Sequence, residues 1–337
     1  MTKIIKVGIN GMGRIGRTVL RAILQEKNPF LKVVAINNPG KLERYIHLFK
    51  YDSTHGRFPL QTEFNGEELI VEDNRISFFN HSDPSDIPWA DREVDVVIDS
   101  TGVFKNKESL SRHIRGSVKK VILCAPGKDV DKTIVMGINE KDYNAKEHNI
   151  ISNASCTTNC LAPIAKVLHD KFHIQSGFMT TIHAYTSDQK LLDGAHNDLR
   201  RARSAAQSMI PTTTGAAKAV GIVIPELKGK LDGYAVRVPT PNVSLVDLTV
   251  QIEKHTSVEE VNNAMKEASE GSLKGIIGYT NEPLVSIDYV GLRESAQYDA
   301  TMTSLIDNTL KVVAWYDNEA GFSHRVVDLA VYVGEKL

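Results

Sequence analysis

From Ile4 to Ile9 the chain is β-branched and apolar apart from Lys6 and Gly8, and it then meets Asn10-Gly11-Met12-Gly13-Arg14-Ile15-Gly16. The run suits a strand buried on both faces. Val19, Leu20, Ile23 and Leu24 follow at helical spacing, and Lys32 to Ile36 is a second apolar run. A strand, a glycine turn, a helix and a second strand in this order leave few architectures open. The three glycines differ in what they allow. Gly11 permits the tight turn, Gly13 lets a pyrophosphate approach the backbone, and Gly16 lets the helix pack close to the strand. The helix's first amides then face the anion. A glycine-rich turn without a ligand is the competing reading, and the flanking strand and helix weigh against it. Where an acid usually binds the ribose at the end of the second strand, this chain carries Asn37-Asn38-Pro39.

Further strand patterns at Val94 to Ile98 and Lys120 to Leu123, with helical spacing around Leu110 to Ile114 between them, extend the alternation. They predict a doubly wound parallel sheet. The second half differs, because Phe178 to Ile182, Tyr234 to Val238, Val246 to Ile252 and Lys311 to Ala314 read as strands with few helices between some of them. Val258 to Ser269 follows a Thr256-Ser257 start signal, and Ser323 to Val333 reads as a closing helix. The expected class is α/β: an N-terminal doubly wound Rossmann-type parallel sheet plus an α+β catalytic domain with a mixed, mostly antiparallel sheet.

Forty Lys and Arg against 41 Asp and Glu leave a net charge of −1, so no global field draws the molecule to nucleic acid or an anionic membrane. Any anion site is therefore local. The longest apolar runs fall far short of a spanning helix. Met1-Thr2-Lys3 leads into an apolar run too short for a signal-peptide core. Three cysteines cannot make a disulfide scaffold in a chain of 337 residues, and that usage suits a reducing compartment, so a cytoplasmic location is expected.

Ser152-Asn153-Ala154-Ser155-Cys156-Thr157-Thr158-Asn159-Cys160 carries the most chemistry. Ser152 or Ser155 can cap a helix, which places Cys156 at the positive end of its dipole, where a thiolate is favoured and a lowered pKa is expected. Cys160 lies one turn deeper and reads as a buried small hydrophobe. The pair could form half of a zinc site, but there is no second Cys pair and Cys124 is alone in a strand, so no metal is expected. A catalytic thiolate needs a proton-handling partner, and His183 ends an apolar strand and begins a loop. From position alone it is as readily a structural histidine.

Taken together, Asn10 to Arg17, Lys50-Tyr51-Asp52-Ser53-Thr54-His55-Gly56, Ser152 to Pro163, Pro211-Thr212-Thr213-Thr214-Gly215-Ala216-Ala217-Lys218-Ala219-Val220, Arg237-Val238-Pro239-Thr240-Pro241-Asn242-Val243-Ser244 and Trp315-Tyr316-Asp317-Asn318-Glu319 closely resemble the phosphorylating glyceraldehyde-3-phosphate dehydrogenase family. The resemblance spans essentially the whole chain in the right order, and it implies a dinucleotide-binding domain of residues 1–155 with 320–337 and a catalytic domain of residues 156–319. It implies that Cys156 is the nucleophile and His183 its partner, that D-glyceraldehyde 3-phosphate is oxidised through a Cys thioester with hydride transfer to a nicotinamide cofactor, and that inorganic phosphate cleaves the thioester to 1,3-bisphosphoglycerate.

Arg237 and Thr186 match the family's substrate-phosphate positions, with Asp188 nearby. Ser155, Thr157, Thr214, Gly215 and an arginine of Arg200-Arg201-Ala202-Arg203, taken as Arg201 with Arg200 left open, match the inorganic-phosphate site. Read from charge alone, those arginines are a solvated face. Thr214-Gly215 opening a helix is independently a sound phosphate cradle. For the cofactor, the resemblance implicates Gly11, Gly13, Arg14, Ile15, Gly16, Thr101, Gly102 and Asn318, the last bonding the nicotinamide carboxamide.

Departures fall on cofactor positions: Asn38 stands for the ribose-binding aspartate, Ser82 for an arginine, Cys124 for a serine and Phe322 for a tyrosine. Asn38 removes a charge that repels a 2′-phosphate, and Leu192-Asp193-Gly194-Ala195-His196 puts small residues where many NAD-specific relatives carry a bulky Leu-Pro pair. NAD remains the expected main cofactor, with NADP accepted better than by a relative bearing aspartate. The long polar segment Ala184 to Met209 lies at a subunit interface in the family, so a homotetramer is expected, with no membrane or nucleic acid required. Erythrose-4-phosphate dehydrogenases share most of these motifs, and acyl-phosphate semialdehyde dehydrogenases share the Cys and His logic. The unbroken Ser155 to Cys160 and Lys50 to Gly56 segments favour the triose phosphate. A non-enzymatic RNA- or surface-binding role of the same fold is the other alternative, and the intact catalytic positions speak against it.

Overall fold

Strand Ile5–Asn10 is enclosed along most of its length because it is the central strand of a nine-stranded sheet. It pairs in parallel with Leu31–Asn37 on one side and Val96–Asp99 on the other. Lys120–Leu123, Ile150–Ser152 and Lys132–Thr133 continue the parallel order beyond Val96–Asp99. Val7, Ile9, Val96, Val97, Ile98, Val121 and Ile122 are all buried, as continuous apolar runs require in a sheet covered on both faces. Gly8 interrupts the run for a packing reason: a Cβ there would lie 2.7 Å from the Trp89 ring, which fills that space.

The computed structural model describes residues 4–337; Met1, Thr2 and Lys3, on which the expectation of a leaderless start partly rests, lie outside the described residues. The chain divides into two compact units: one runs up to Ile134 and adds Glu140–Ala154 and Ser323–Leu337, and the other comprises Val135–Asn139 and Ser155–Phe322. In the first unit one edge departs from the expected parallel order. Asn74–Phe79 lies parallel to Leu31–Asn37, but Glu68–Val71 and Thr62–Phe64 then add antiparallel strands. These are short, half-buried edge strands whose alternation is too brief to register as a pattern.

The second unit holds a sheet in the order Ile210–Thr213, Leu231–Val238, Ile174–Ala184, Ser244–Ile252, Thr309–Tyr316, Ala296–Asp299 and Ile277–Thr280, with Ser304–Ile306 added on Thr309–Tyr316. Its pairings are antiparallel except Ile174–Ala184 with Leu231–Val238 and Ile277–Thr280 with Ala296–Asp299. In Ser244–Ile252 every second residue is buried, so one face is packed and the other is more open. Helices Cys156–Phe172, Ala216–Val223 and Val258–Glu270 pack with this sheet. The last begins where the sequence signalled it, with Ser257 and Glu260 forming a capping box. Among the described residues no helix is long and apolar enough to cross a membrane.

Candidate active site

Helix Cys156–Phe172 starts at Cys156 because Ser155 caps it, its Oγ accepting from the Thr158 amide at 3.0 Å. Ala154 turns the chain into this start with a left-handed φ of 56°, an uncommon conformation for a residue with a Cβ. Cys156 thus occupies the first helical position, among backbone N–H groups that the helix leaves without a helical partner. Cys160, one turn on, is sealed in the core.

His183 and Thr181 are two residues apart on strand Ile174–Ala184, so both side chains emerge on the buried face. His183 Nε2 lies 3.5 Å from Cys156 Sγ. Its Nδ1 is 2.7 Å from the Ala184 carbonyl oxygen, which can only accept, so Nδ1 carries the proton and Nε2 presents its lone pair to the sulfur. Arg237 Nη1 donates to the same carbonyl at 3.0 Å, so its 2.9 Å approach to Nδ1 is a contact between two donors sharing one acceptor. Burial, followed by the charge of Arg237, holds His183 down at about 3.

Burial also pushes the Cys156 thiol up, against the opposing pull of Arg237, the Thr157 side chain and the neighbouring amides. The lowered pKa expected from the helix start is therefore not what the surroundings produce. Desolvation of a half-buried sulfur packed among protein atoms outweighs the helix end. His183 Nε2 thus faces the Cys156 sulfur as an acceptor.

Thr186 Oγ1 stands 3.4 Å from Arg237 Nη1, so these two expected anion ligands are together. Asp188 accepts from Arg201 Nη1 at 2.5 Å. Arg201 is further fixed by Thr212 Oγ1 at 2.9 Å and the Thr213 carbonyl at 3.2 Å, whereas Arg200 is exposed. Thr214 Oγ1 accepts from the Ala216 amide at 3.2 Å at the head of helix Ala216–Val223, whose cap residue is Gly215. Thr157 turns its hydroxyl inward to Tyr316 OH at 2.9 Å, and Thr181 bonds the same phenol at 2.8 Å. Ser155 and Thr214 thus spend their hydroxyls on capping, and the neighbouring helix-start amides are the donors suited to an anion.

In the first unit, helix Arg14–Gln25 begins after Gly13 with no side-chain cap, so its opening amides have no helical partner. Gly11 has a φ of 100°, and a Cβ at Gly16 would sit 2.0 Å from the Gly11 carbonyl, whereas a Cβ at Gly13 would meet nothing within 4 Å. A cradle open only at Gly13, at the start of a helix whose first amides have no helical partner, fits a pyrophosphate. Arg14 is held by a bidentate ion pair with Asp52, at 2.8 and 3.0 Å, which keeps the Asp52 carboxyl well below the usual range although burial opposes it.

Asn38 Oδ1 accepts from the Met12 amide at 2.7 Å, tying the end of the second strand to the glycine turn, and its Nδ2 donates to the Pro39 carbonyl at 2.8 Å. Ser82 is exposed next to His81, whose backbone is bonded on both sides by Asn37. Thr101 Oγ1 donates to Asp99 at 2.8 Å, Gly102 follows with a φ of 68°, and Cys124 lies just past strand Lys120–Leu123. In the second unit Asn318 is nearly buried, its Oδ1 accepting from Ser244 Oγ at 2.9 Å. Residue types and spacing assign no role to Tyr316, Ser244 or Asp52; each acts through a partner more than 35 residues away in the chain.

The family model described as glyceraldehyde 3-phosphate dehydrogenase, C-terminal domain, matches residues 155–318, and the one described as glyceraldehyde 3-phosphate dehydrogenase, NAD binding domain, matches residues 5–107. Among relatives, a glyceraldehyde-3-phosphate dehydrogenase of Geobacillus stearothermophilus is 56% identical over 333 residues, covering 98% of this chain and 99% of the relative. Glyceraldehyde-3-phosphate dehydrogenase 1 of Bacillus cereus is 56% identical over 332 residues, and the protein of Priestia megaterium is 54% identical over 333, with the same coverage.

Proposed function

The chain belongs to the glyceraldehyde-3-phosphate dehydrogenase family, an oxidoreductase using a nicotinamide dinucleotide, and from that premise we propose how its residues divide the work. Residues 1–155 with 320–337 carry the dinucleotide, and 156–319 carry the chemistry. The observation that carries the reading is the 3.5 Å approach of Cys156 Sγ to an imidazole nitrogen whose lone pair faces it.

Cys156 Sγ adds to the aldehyde carbon of glyceraldehyde 3-phosphate as His183 Nε2 takes the thiol proton. The amides of Cys156 and Thr157 donate to the oxygen that becomes anionic. The nicotinamide, when bound, supplies the hydride acceptor. His183 returns that proton to the alkoxide to give the hemithioacetal hydroxyl and removes it again as the carbon is oxidised, which leaves a thioester on Cys156 and a protonated His183 that can return the proton to the leaving sulfur. Inorganic phosphate, held by helix-start amides near Ser155, Thr157, Thr214 and Gly215 and by Arg201, attacks the thioester carbonyl. The Cys156 thiolate leaves and 1,3-bisphosphoglycerate is released.

Arg237 and Thr186 hold the substrate's own phosphate. That anion offsets the Arg237 charge beside His183, so its arrival makes the imidazole a stronger base. The glycine turn with Arg14 and Ile15 holds the pyrophosphate, Asn38, Ser82, Thr101, Gly102 and Cys124 line the cofactor, and Asn318 meets the carboxamide. NAD is the main cofactor.

We further propose a cytoplasmic homotetramer. Phe178 and Tyr234 expose aromatic rings on the sheet face opposite the buried alternation, and Leu191, Leu192, Leu199 and Met209 are exposed in the loop segment, more apolar surface than a monomer usually leaves bare. A monomeric mass by light scattering at micromolar concentration would refute this. The chemistry is tested by Cys156→Ser: oxidation of glyceraldehyde 3-phosphate is abolished while the unfolding midpoint stays near that of the parent. Retention of most activity would overturn the assignment.

A further inference from the structure

Val243 has a φ of 67°, the left-handed region, although it is β-branched and buried. Such a residue is strained and persists only where its surroundings over-determine it. Those surroundings are explicit. Asn242 Nδ2 donates to Asp317 Oδ2 at 2.8 Å, and the Gly291 amide donates to the same oxygen at 2.8 Å. Asp317 Oδ1 accepts from the amides of Glu319 and Ala320 at 2.9 and 2.8 Å. The strained turn is thereby fastened to the chain on both sides of Asn318, and the residue it delivers is Ser244.

Ser244 Oγ is buried and makes two hydrogen bonds. It accepts from the Ala184 amide at 3.0 Å and lies 2.9 Å from Asn318 Oδ1. A hydroxyl has one proton. If Asn318 turned its Nδ2 to the serine instead, Oγ would accept twice and its own proton would have no partner in an enclosed place. The amide is therefore locked with Oδ1 toward Ser244. Asn318 Nδ2 is left as a donor without a partner among the described residues and without being sealed from solvent. Ala184 is the shared anchor: its N–H fixes Ser244, and its carbonyl fixes the His183 tautomer.

We infer that Ser244 is a positioning residue that holds the Asn318 amide with its donor edge outward, so that it selects the carbonyl oxygen of the nicotinamide carboxamide and thereby the ring face turned to Cys156. This rests on the reading that Asn318 meets the carboxamide. A nicotinamide carboxamide offers both an acceptor and a donor edge. An Asn free to flip would accept either, and the ring could then bind in two orientations.

The test uses the full-length enzyme with NAD deuterated at C4. NMR of the reduced cofactor reads the ring face that received hydride, and equilibrium binding reads the NAD dissociation constant. Ser244→Ala should add a detectable fraction of transfer to the other face and weaken NAD binding about five- to tenfold, the worth of one hydrogen bond. Cys156 alkylation should be unchanged, and Ser244→Thr, which keeps the hydroxyl, should restore both readouts.

Asn318→Asp probes the same point independently of how Ser244→Ala folds. Its carboxylate still accepts from Ser244 but presents an oxygen outward, and it should disturb both readouts. If Asn318→Asp changes face selectivity and binding while a folded Ser244→Ala leaves both intact, the positioning role is overturned and the cofactor reading survives. If Asn318→Asp changes neither, the cofactor reading of Asn318 is itself wrong, and the inference falls with it.

Discussion

Replacing Gly13 and Gly16 separately by alanine distinguishes a glycine kept for its ligand from one kept for packing. At Gly13 the backbone has φ −67° and ψ −166°, values any residue adopts, and a Cβ meets nothing within 4 Å. Gly13→Ala should therefore leave the apo protein as stable as the parent or stabilise it by about 0.4–1 kcal/mol through the unfolded state. Its methyl group, however, would stand where a pyrophosphate must approach the backbone. A tenfold loss of affinity would reduce the stabilisation given by cofactor at 100 times the parent's dissociation constant from about 2.7 to about 1.4 kcal/mol. The cofactor-induced rise in unfolding midpoint is then roughly halved.

At Gly16 the added Cβ would be 2.0 Å from the Gly11 carbonyl oxygen and 2.6 Å from Ser100 Oγ, and ordinary contact begins at 3.4 Å. The helix must move off the turn by roughly an ångström, an overpacking that costs about 1–3 kcal/mol in the apo protein itself. Urea unfolding of both variants with and without NAD measures both effects. A Gly13→Ala protein that keeps the full cofactor-induced shift refutes the backbone cradle, and a Gly16→Ala protein of parental apo stability refutes the close packing of helix on turn.

Iodoacetamide should modify Cys156 before Cys124 or Cys160, because burial pushes the latter two thiols well up, while Arg237 and two amides restrain the rise at Cys156. Equal labelling of all three would contradict the site electrostatics. His183 is depressed from 6.5 to about 3, so between those values the unfolded chain binds a proton that the native protein refuses. Stability should fall as pH drops through that window, and His183→Asn should flatten that limb of the urea-midpoint profile. Parallel profiles for the two proteins would exclude it. Asn38→Asp keeps an acceptor for the Met12 amide but sets a carboxylate oxygen against the Pro39 carbonyl, which favours turning it toward a ribose hydroxyl. The NAD over NADP ratio of kcat/KM should rise about tenfold, roughly 1.4 kcal/mol of differential transition-state binding; an unchanged ratio removes position 38 as the discriminator.

What can be read from the sequence is what depends on neighbours along the chain. The glycine turn, the runs from Ile5 and Leu31, the Ser257 cap and Cys156 at a helix start all follow from local pattern. Contacts across the fold are not legible. Gly8 is explained by Trp89, 81 positions on, and the fixed amide of Asn318 by Ser244, 74 positions before it. His183 stands out by its place on a strand, but its pairing with Cys156 comes from family resemblance, since no local spacing joins residues 27 apart. The Cys156 shift runs opposite to the sequence expectation for a related reason: a helix start is visible in sequence, and the protein packed around the sulfur is not.

The ion pair between Arg14 and Asp52 bears on how fast the cofactor comes and goes. With the guanidinium already matched by a carboxylate, the glycine turn offers an anion directed N–H groups but little long-range attraction, and the molecule as a whole carries a net charge of −1. Steered capture depends on an extended field that dissolved ions screen within about 10 Å at 0.1 M. A site without that field has little for salt to screen, so dinucleotide association should proceed at an unsteered diffusional pace whose rate constant stays nearly flat as ionic strength rises.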